Sequence, residues 1–83
     1  MEKKILNALL TKVMQLHENG HYAELQFSNY GFDVTVSAIK GGFRTEGGYD
    51  FNSSFMLTES DKALSTMIKL DEIIEEWGVK ENE

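Results

Sequence analysis

His21-Tyr22-Ala23-Glu24-Leu25-Gln26-Phe27-Ser28-Asn29-Tyr30-Gly31-Phe32-Asp33-Val34-Thr35-Val36-Ser37-Ala38-Ile39 contains two runs in which apolar and polar residues alternate. Successive side chains of a strand point to opposite faces, so Ala23, Leu25 and Phe27 share one face and Phe32, Val34, Val36 and Ala38 another. Asn29-Tyr30-Gly31 between them supplies residues that tolerate positive φ, as a tight hairpin requires. Strands over 21–28 and 32–40 are expected, with Phe27 opposite Phe32, Leu25 opposite Val34 and Ala23 opposite Val36, so that every inward residue meets an inward one. The outer face would then display Tyr22, Gln26, Thr35, Ser37 and Ile39.

Downstream, Gly41-Gly42 reads as the next turn, followed by a strand over 43–57 that brings Phe51 opposite Phe32 and Tyr49 opposite Val34. Gly47-Gly48 reads as a bulge in that strand, or as a turn dividing it; three strands are favoured over four. Upstream, Ile5, Leu6, Leu9, Leu10, Val13, Leu16 and His17 recur with a helical period, which predicts a helix over 2–18 ended by Asn19-Gly20. After the strands, Thr58-Glu59-Ser60-Asp61 resembles a capping box. It opens a helix over 59–77 with Ala63, Leu64, Met67, Leu70, Ile74 and Trp77 on the core face and Gly78 as its cap. Ile68 and Ile73 flank that face, and one or both should reach the surface. Residues 79–83 are expected to fray. The fold class is α+β: a two-layer helix, three-stranded antiparallel meander and helix, with both helices on one sheet face and a single domain over 1–83.

With 83 residues and no cysteine, the chain has no disulfide framework, no thiolate metal site and no thiol nucleophile, and the cytoplasm is the expected compartment. No apolar run is long enough to span a membrane, and the N-terminal stretch reads as an amphipathic helix rather than a signal peptide. A core this thin makes self-association a natural supplement. The 8 Lys plus Arg face 14 Asp plus Glu, a net charge of −6. The imbalance is local: from Glu59 onward eight acids face three lysines, a net of −5. Such a field repels phosphate backbones and attracts cationic surfaces.

His17 and His21 have the four-residue spacing of zinc ligands on one helix, but Asn19-Gly20 ends the helix between them, so no metal and no cofactor is expected. Ser53, Ser54, Ser60 and Ser65 have no histidine at informative spacing, and no catalytic residue is assigned. The segment from Gly41 to Gly48 lacks the lysine-serine ending of a phosphate loop and reads as a hairpin presenting Phe43 and Arg44, an aromatic beside an arginine that suits an interface. Asp71, Glu72, Glu75 and Glu76 fall at i, i+3 and i+4 intervals, placing like charges side by side on a helix. A charged face kept for solubility accounts for this; a surface kept for a cationic partner accounts for it more sharply.

The helix-strand-strand-strand-helix order resembles the double-stranded RNA-binding domain. That family places a lysine cluster at the start of its second helix, where this chain has Thr58-Glu59-Ser60-Asp61-Lys62-Ala63, so the resemblance carries topology without the RNA contact. The same order, with small size, absence of cysteine and an acidic C-terminal half, is similar in type to small phage-encoded inhibitors, anti-CRISPR proteins and other nucleic-acid mimics among them. The expectation is a non-enzymatic protein that inhibits a cationic nucleic-acid-binding or defence protein. Asp71, Glu72, Glu75, Glu76, Phe43 and Arg44 would form its partner-binding surface, and it would contact neither nucleic acid nor membrane directly. The alternatives are a homodimeric structural or regulatory module assembled through the sheet face or edge, and a small-ligand or metal-dependent protein.

Overall fold

A computed structural model describes residues 2–30, 32–42 and 48–80. Its element order is α1 (Glu2–Glu18), β1 (Tyr22–Ser28), β2 (Asp33–Ile39), β3 (Phe51–Met56) and α2 (Ser60–Trp77), and the strands form one antiparallel sheet in the order β1-β2-β3.

Helix α1 ends where the chain meets residues suited to a left-handed turn. Gly20 has φ +93°, its N–H donates to the His17 carbonyl, and the His21 N–H reaches back to the Leu16 carbonyl at 3.0 Å. These two bonds satisfy carbonyls that a helix end leaves without partners. The α1 core face is narrower than its periodicity predicts: Leu9, Val13 and Leu16 are buried and Ile5 and Leu6 pack against them, while Leu10 and His17 are exposed.

The hairpin pairs Leu25 with Val36, Ala23 with Ala38 and Phe27 with Val34, two residues away from the expected register. Phe32 leaves the strand and closes a four-residue loop at φ +56°, a left-handed conformation that is unusual for a side chain of this size. Its ring stays 6.5 Å from that of Phe27, so the aromatic contact persists although the strand pair does not.

The second connection corrects the expectation more strongly. β3 spans Phe51–Met56, residues 48–50 before it are not in strand and residues 43–47 of the expected strand lie outside the described residues, while Val34 faces Phe55 and Ala38 faces Phe51. The ladder opens at Asp50, whose N–H donates to the Ala38 carbonyl at 2.9 Å while its carboxylate accepts the Lys40 N–H at 2.8 Å. Gly48 precedes the sheet, and Gly47, Phe43 and Arg44 lie outside the described residues.

Both helices cover the face formed by Val34, Val36, Ala38 and Phe55, and Leu9, Val13, Leu16, Ala63 and Leu70 complete the core. One polar pair sits inside this layer, Ser53 with Thr66 at 2.9 Å. The opposite face is less open than expected, because Ser37 and Ile39 are buried on it. Ser37 donates to Asn52, and the hydroxyls of Tyr22 and Tyr49 both donate to Glu24, at 2.7 and 3.0 Å. Tyr49 lies on the β3 side of β2 and Glu24 on β1, so the bond carries the Tyr49 ring across the central strand.

Helix α2 starts at Ser60 without the expected capping box: Glu59 is the cap residue, and its carboxylate accepts the Met56 N–H upstream and pairs with Lys62. Gly78 closes the helix at φ +58°, its N–H on the Ile74 carbonyl. The segment beyond is held rather than frayed at Lys80, whose N–H donates to Asn19 and whose ammonium donates to the Gly41 carbonyl, both at 2.7 Å.

Candidate functional site

The outward face of α2 follows from which residues its inward face can bury. Ala63, Thr66 and Leu70 are buried, and Met67, Ile73, Ile74 and Trp77 pack at their sides. Thr66, satisfied by Ser53, occupies the middle of the inward face. That rotates the helix away from the orientation its apolar residues alone predict, and Leu64 turns outward at 58% exposure beside Ile68 at 61%. Leu64, Ile68 and Glu72 follow at i, i+4 and i+8, with Asp71 and Glu75 alongside, so one stripe runs from apolar to acidic.

The four acidic residues expected at the partner surface differ in their surroundings. Asp71 turns toward α1 and pairs with Lys12 at 2.6 Å, which spends its charge within the fold. Glu72 has Lys69 at 3.9 Å, and both side chains are exposed. Glu75 and Glu76 are exposed with no ion pair among the described residues. Glu76 also borders a cavity of about 500 Å³ with Lys40, Asp50, Ile73 and Trp77. The last turn of α2 carries no basic residue, so these carboxylates stand at the negative end of the helix dipole as well as beside one another.

Between the helices a second cavity, of about 300 Å³, is lined by Thr11, Lys12, Gln15, Asp71 and Ile74. The Lys12–Asp71 pair and the Lys80–Asn19 backbone bond set α1 and α2 side by side with their C-terminal ends together. Asp71 follows Leu64 by seven residues, so the cavity lies two turns further along the same side of α2.

His17 and His21 do not converge on a cation. His17 is exposed at the end of α1. His21 is buried and fully engaged: the Gly41 N–H donates to Nδ1 at 2.9 Å, so the ring proton sits on Nε2 and is donated to the Gly78 carbonyl at 2.8 Å. Its ring meets that of Trp77 edge-on at 5.3 Å. It is a structural staple between the β2–β3 connection and the end of α2, and no group of three metal-ligating side chains occurs among the described residues. Of the four serines considered, Ser53 is bonded to Thr66 and Ser54 to Thr35.

Specific contacts displace the titrations of Tyr22, Tyr49, Glu59 and Lys62. The hydrogen bonds to Glu24 raise the Tyr22 and Tyr49 hydroxyls above the ordinary phenol value. The Met56 N–H, and then Lys62, lower the Glu59 carboxyl, and the same carboxylate raises the Lys62 ammonium. None of these groups lies in the acidic stripe. Compared with protein families, curated proteins and solved structures, the chain has no match.

Proposed function

We propose that this chain is a non-enzymatic binding protein that engages a cationic partner through the outward face of α2 and inhibits it, in the manner of a nucleic-acid mimic or a phage-encoded inhibitor of a defence protein. The observation that carries this reading is the position of Glu72, Glu75 and Glu76. Glu75 and Glu76 stand in the last turn of α2 with Glu72 one turn before them, where like charges and, for the last two, the helix dipole disfavour them, and no ion pair offsets Glu75 or Glu76 among the described residues. A local arrangement that costs stability without a compensating contact is expected where a surface serves a partner. Opposite charge on that partner would speed the encounter and hold the register.

The test is capture from a bacterial lysate with the wild type beside Glu72→Lys/Glu75→Lys/Glu76→Lys. A nuclease or nucleic-acid-binding protein that is captured by the wild type, lost with the folded triple variant and displaced by added DNA supports the reading. Equal capture by both proteins sinks it. A homodimeric module is the second reading, and one observation favours it: β1 pairs with β2 on one side only. A monomeric mass by light scattering at high micromolar concentration would remove it.

A further inference from the structure

We infer that the seam between α1 and α2 is a docking groove for a basic amphipathic helix. The inference rests on the reading of the acidic face given above and specifies the shape of the partner element that meets it.

Leu64 and Ile68 stand one turn apart on the outward face of α2, each more than half exposed, and no described element covers them. One turn further the stripe becomes Glu72, with Asp71 and Glu75 beside it. The step from Leu64 to Glu75 is about 16 Å along the axis, or three helical turns. Alongside it, Thr11, Lys12 and Gln15 of α1 join Asp71 and Ile74 of α2 around the cavity of about 300 Å³, where Lys12 is paired with Asp71. Two helices packed side by side leave an outer furrow that a third helix can enter with residues at i, i+3, i+4 and i+7.

Charge decides the occupant. An extended strand would seek a free sheet edge, and the seam offers none, because the backbone groups of both helices are spent within them. A nucleic acid would meet the carboxylates with like charge. An amphipathic helix with leucine-like anchors at one end and lysine or arginine at the other complements both parts of the stripe. The anchors lie on Leu64 and Ile68, and the cations face Glu72 and Glu75. Asp71 is already held by Lys12 and adds little to that contact.

The probe is a Lys/Leu peptide of about 18 residues with leucines at helical spacing in its first half and lysines gathered in its second. Its control has the same composition, with the leucines spread evenly around the helix. Titrated into the isotope-labelled full chain, the first peptide should shift the amide signals of Leu64, Ile68, Glu72 and Glu75 together with Thr11 and Gln15, and gain helical circular dichroism on binding. It should bind at least about tenfold more tightly than the control. Leu64→Ser/Ile68→Ser changes only exposed side chains, and it should erase that preference while leaving the weak binding of the control in place.

Equal affinity for the two peptides, with shifts confined to Glu72, Glu75 and Glu76, would overturn the groove and leave the cationic-partner reading standing. Binding of neither peptide at low salt would overturn both. Tight binding that survives Leu64→Ser/Ile68→Ser, or that shifts the sheet rather than the helices, would overturn the groove alone.

Discussion

Gly20 shows how a single position ties three parts of the chain together. Its left-handed conformation ends α1, and a Cβ there would stand 2.9 Å from Cβ of Lys80, the residue that also bonds Asn19 and Gly41. Gly20→Ala should therefore lower stability by about 1 to 2 kcal/mol through backbone strain, with the collision added to it. Thermal melts of Gly20→Ala and of Gly20→Ala/Lys80→Gly separate the two contributions, because only loss of the Lys80 Cβ relieves the collision. Recovery to the level of Lys80→Gly alone would show that strain contributes nothing. The helix stop at Asn19-Gly20 was legible in the sequence because glycine punctuates a helix for local reasons. The contact with Lys80 was not, since it joins residues sixty positions apart and no local signal marks the tail as anchored. Phe32 illustrates the same limit: alternation places it in a strand, whereas the hairpin loop takes it into positive φ.

At the scale of the elements, the alternating pattern identified which face of each strand is buried but not which residues are paired. Both registers differ from expectation by an even number of residues, two at the hairpin and six between β2 and β3. An even slip keeps every apolar side chain on its face, so a period of two cannot distinguish these pairings. What distinguishes them is tertiary: Asp50 caps the ladder at Lys40, and Ser53 must lie where Thr66 can reach it. Helix α2 was rotated in the sequence reading for a related reason. A wheel centred on apolar residues discounts a buried threonine, so it places Leu64 in the core, although it already leaves Ile68 at the edge of that face. Leu70, in contrast, is fully buried at the centre of both readings. Leu70→Ala should cost about 2 to 5 kcal/mol in denaturant unfolding, the range for emptying a packed leucine site. The acidic end of the same helix should respond in the opposite direction. Glu75→Lys places a cation at the negative end of the dipole, with Asp71 four residues and Glu72 three residues before it, and should raise Tm by roughly 1 to 3 °C at low salt. A fall in Tm would mean that Glu75 contributes to the fold, and it would undercut the claim that its place is explained by a partner.

For the whole molecule, the displaced titrations predict a stability plateau with two differently sourced edges. On the acid side, the Glu59 carboxyl is held below the ordinary value of 4.5 by the Met56 N–H and Lys62. The unfolded chain takes up that proton first, so the contribution is present above about pH 4.5 and is lost as pH falls through the lower folded value. On the alkaline side, Tyr22 and Tyr49 are raised above 10.0 by Glu24, and Lys62 is raised above 10.5 by Glu59. Here the unfolded chain loses its protons first, so the contribution is complete below about pH 10 and disappears as pH rises through the folded values. The net charge of −6 becomes more negative over the same interval, and self-repulsion adds to the loss. Thermal melts from pH 3 to 11 should therefore give a shallower acid fall for Glu59→Gln and a shallower alkaline fall for Tyr22→Phe/Tyr49→Phe. Glu59→Gln should also soften part of the alkaline edge, because Lys62 loses the carboxylate that raises it. If the tyrosine variant kept the full alkaline fall, the shared hydrogen bonds at Glu24 would not fasten the outer sheet face. The burial of Ser37 and Ile39 beneath that bridge would then require another cause.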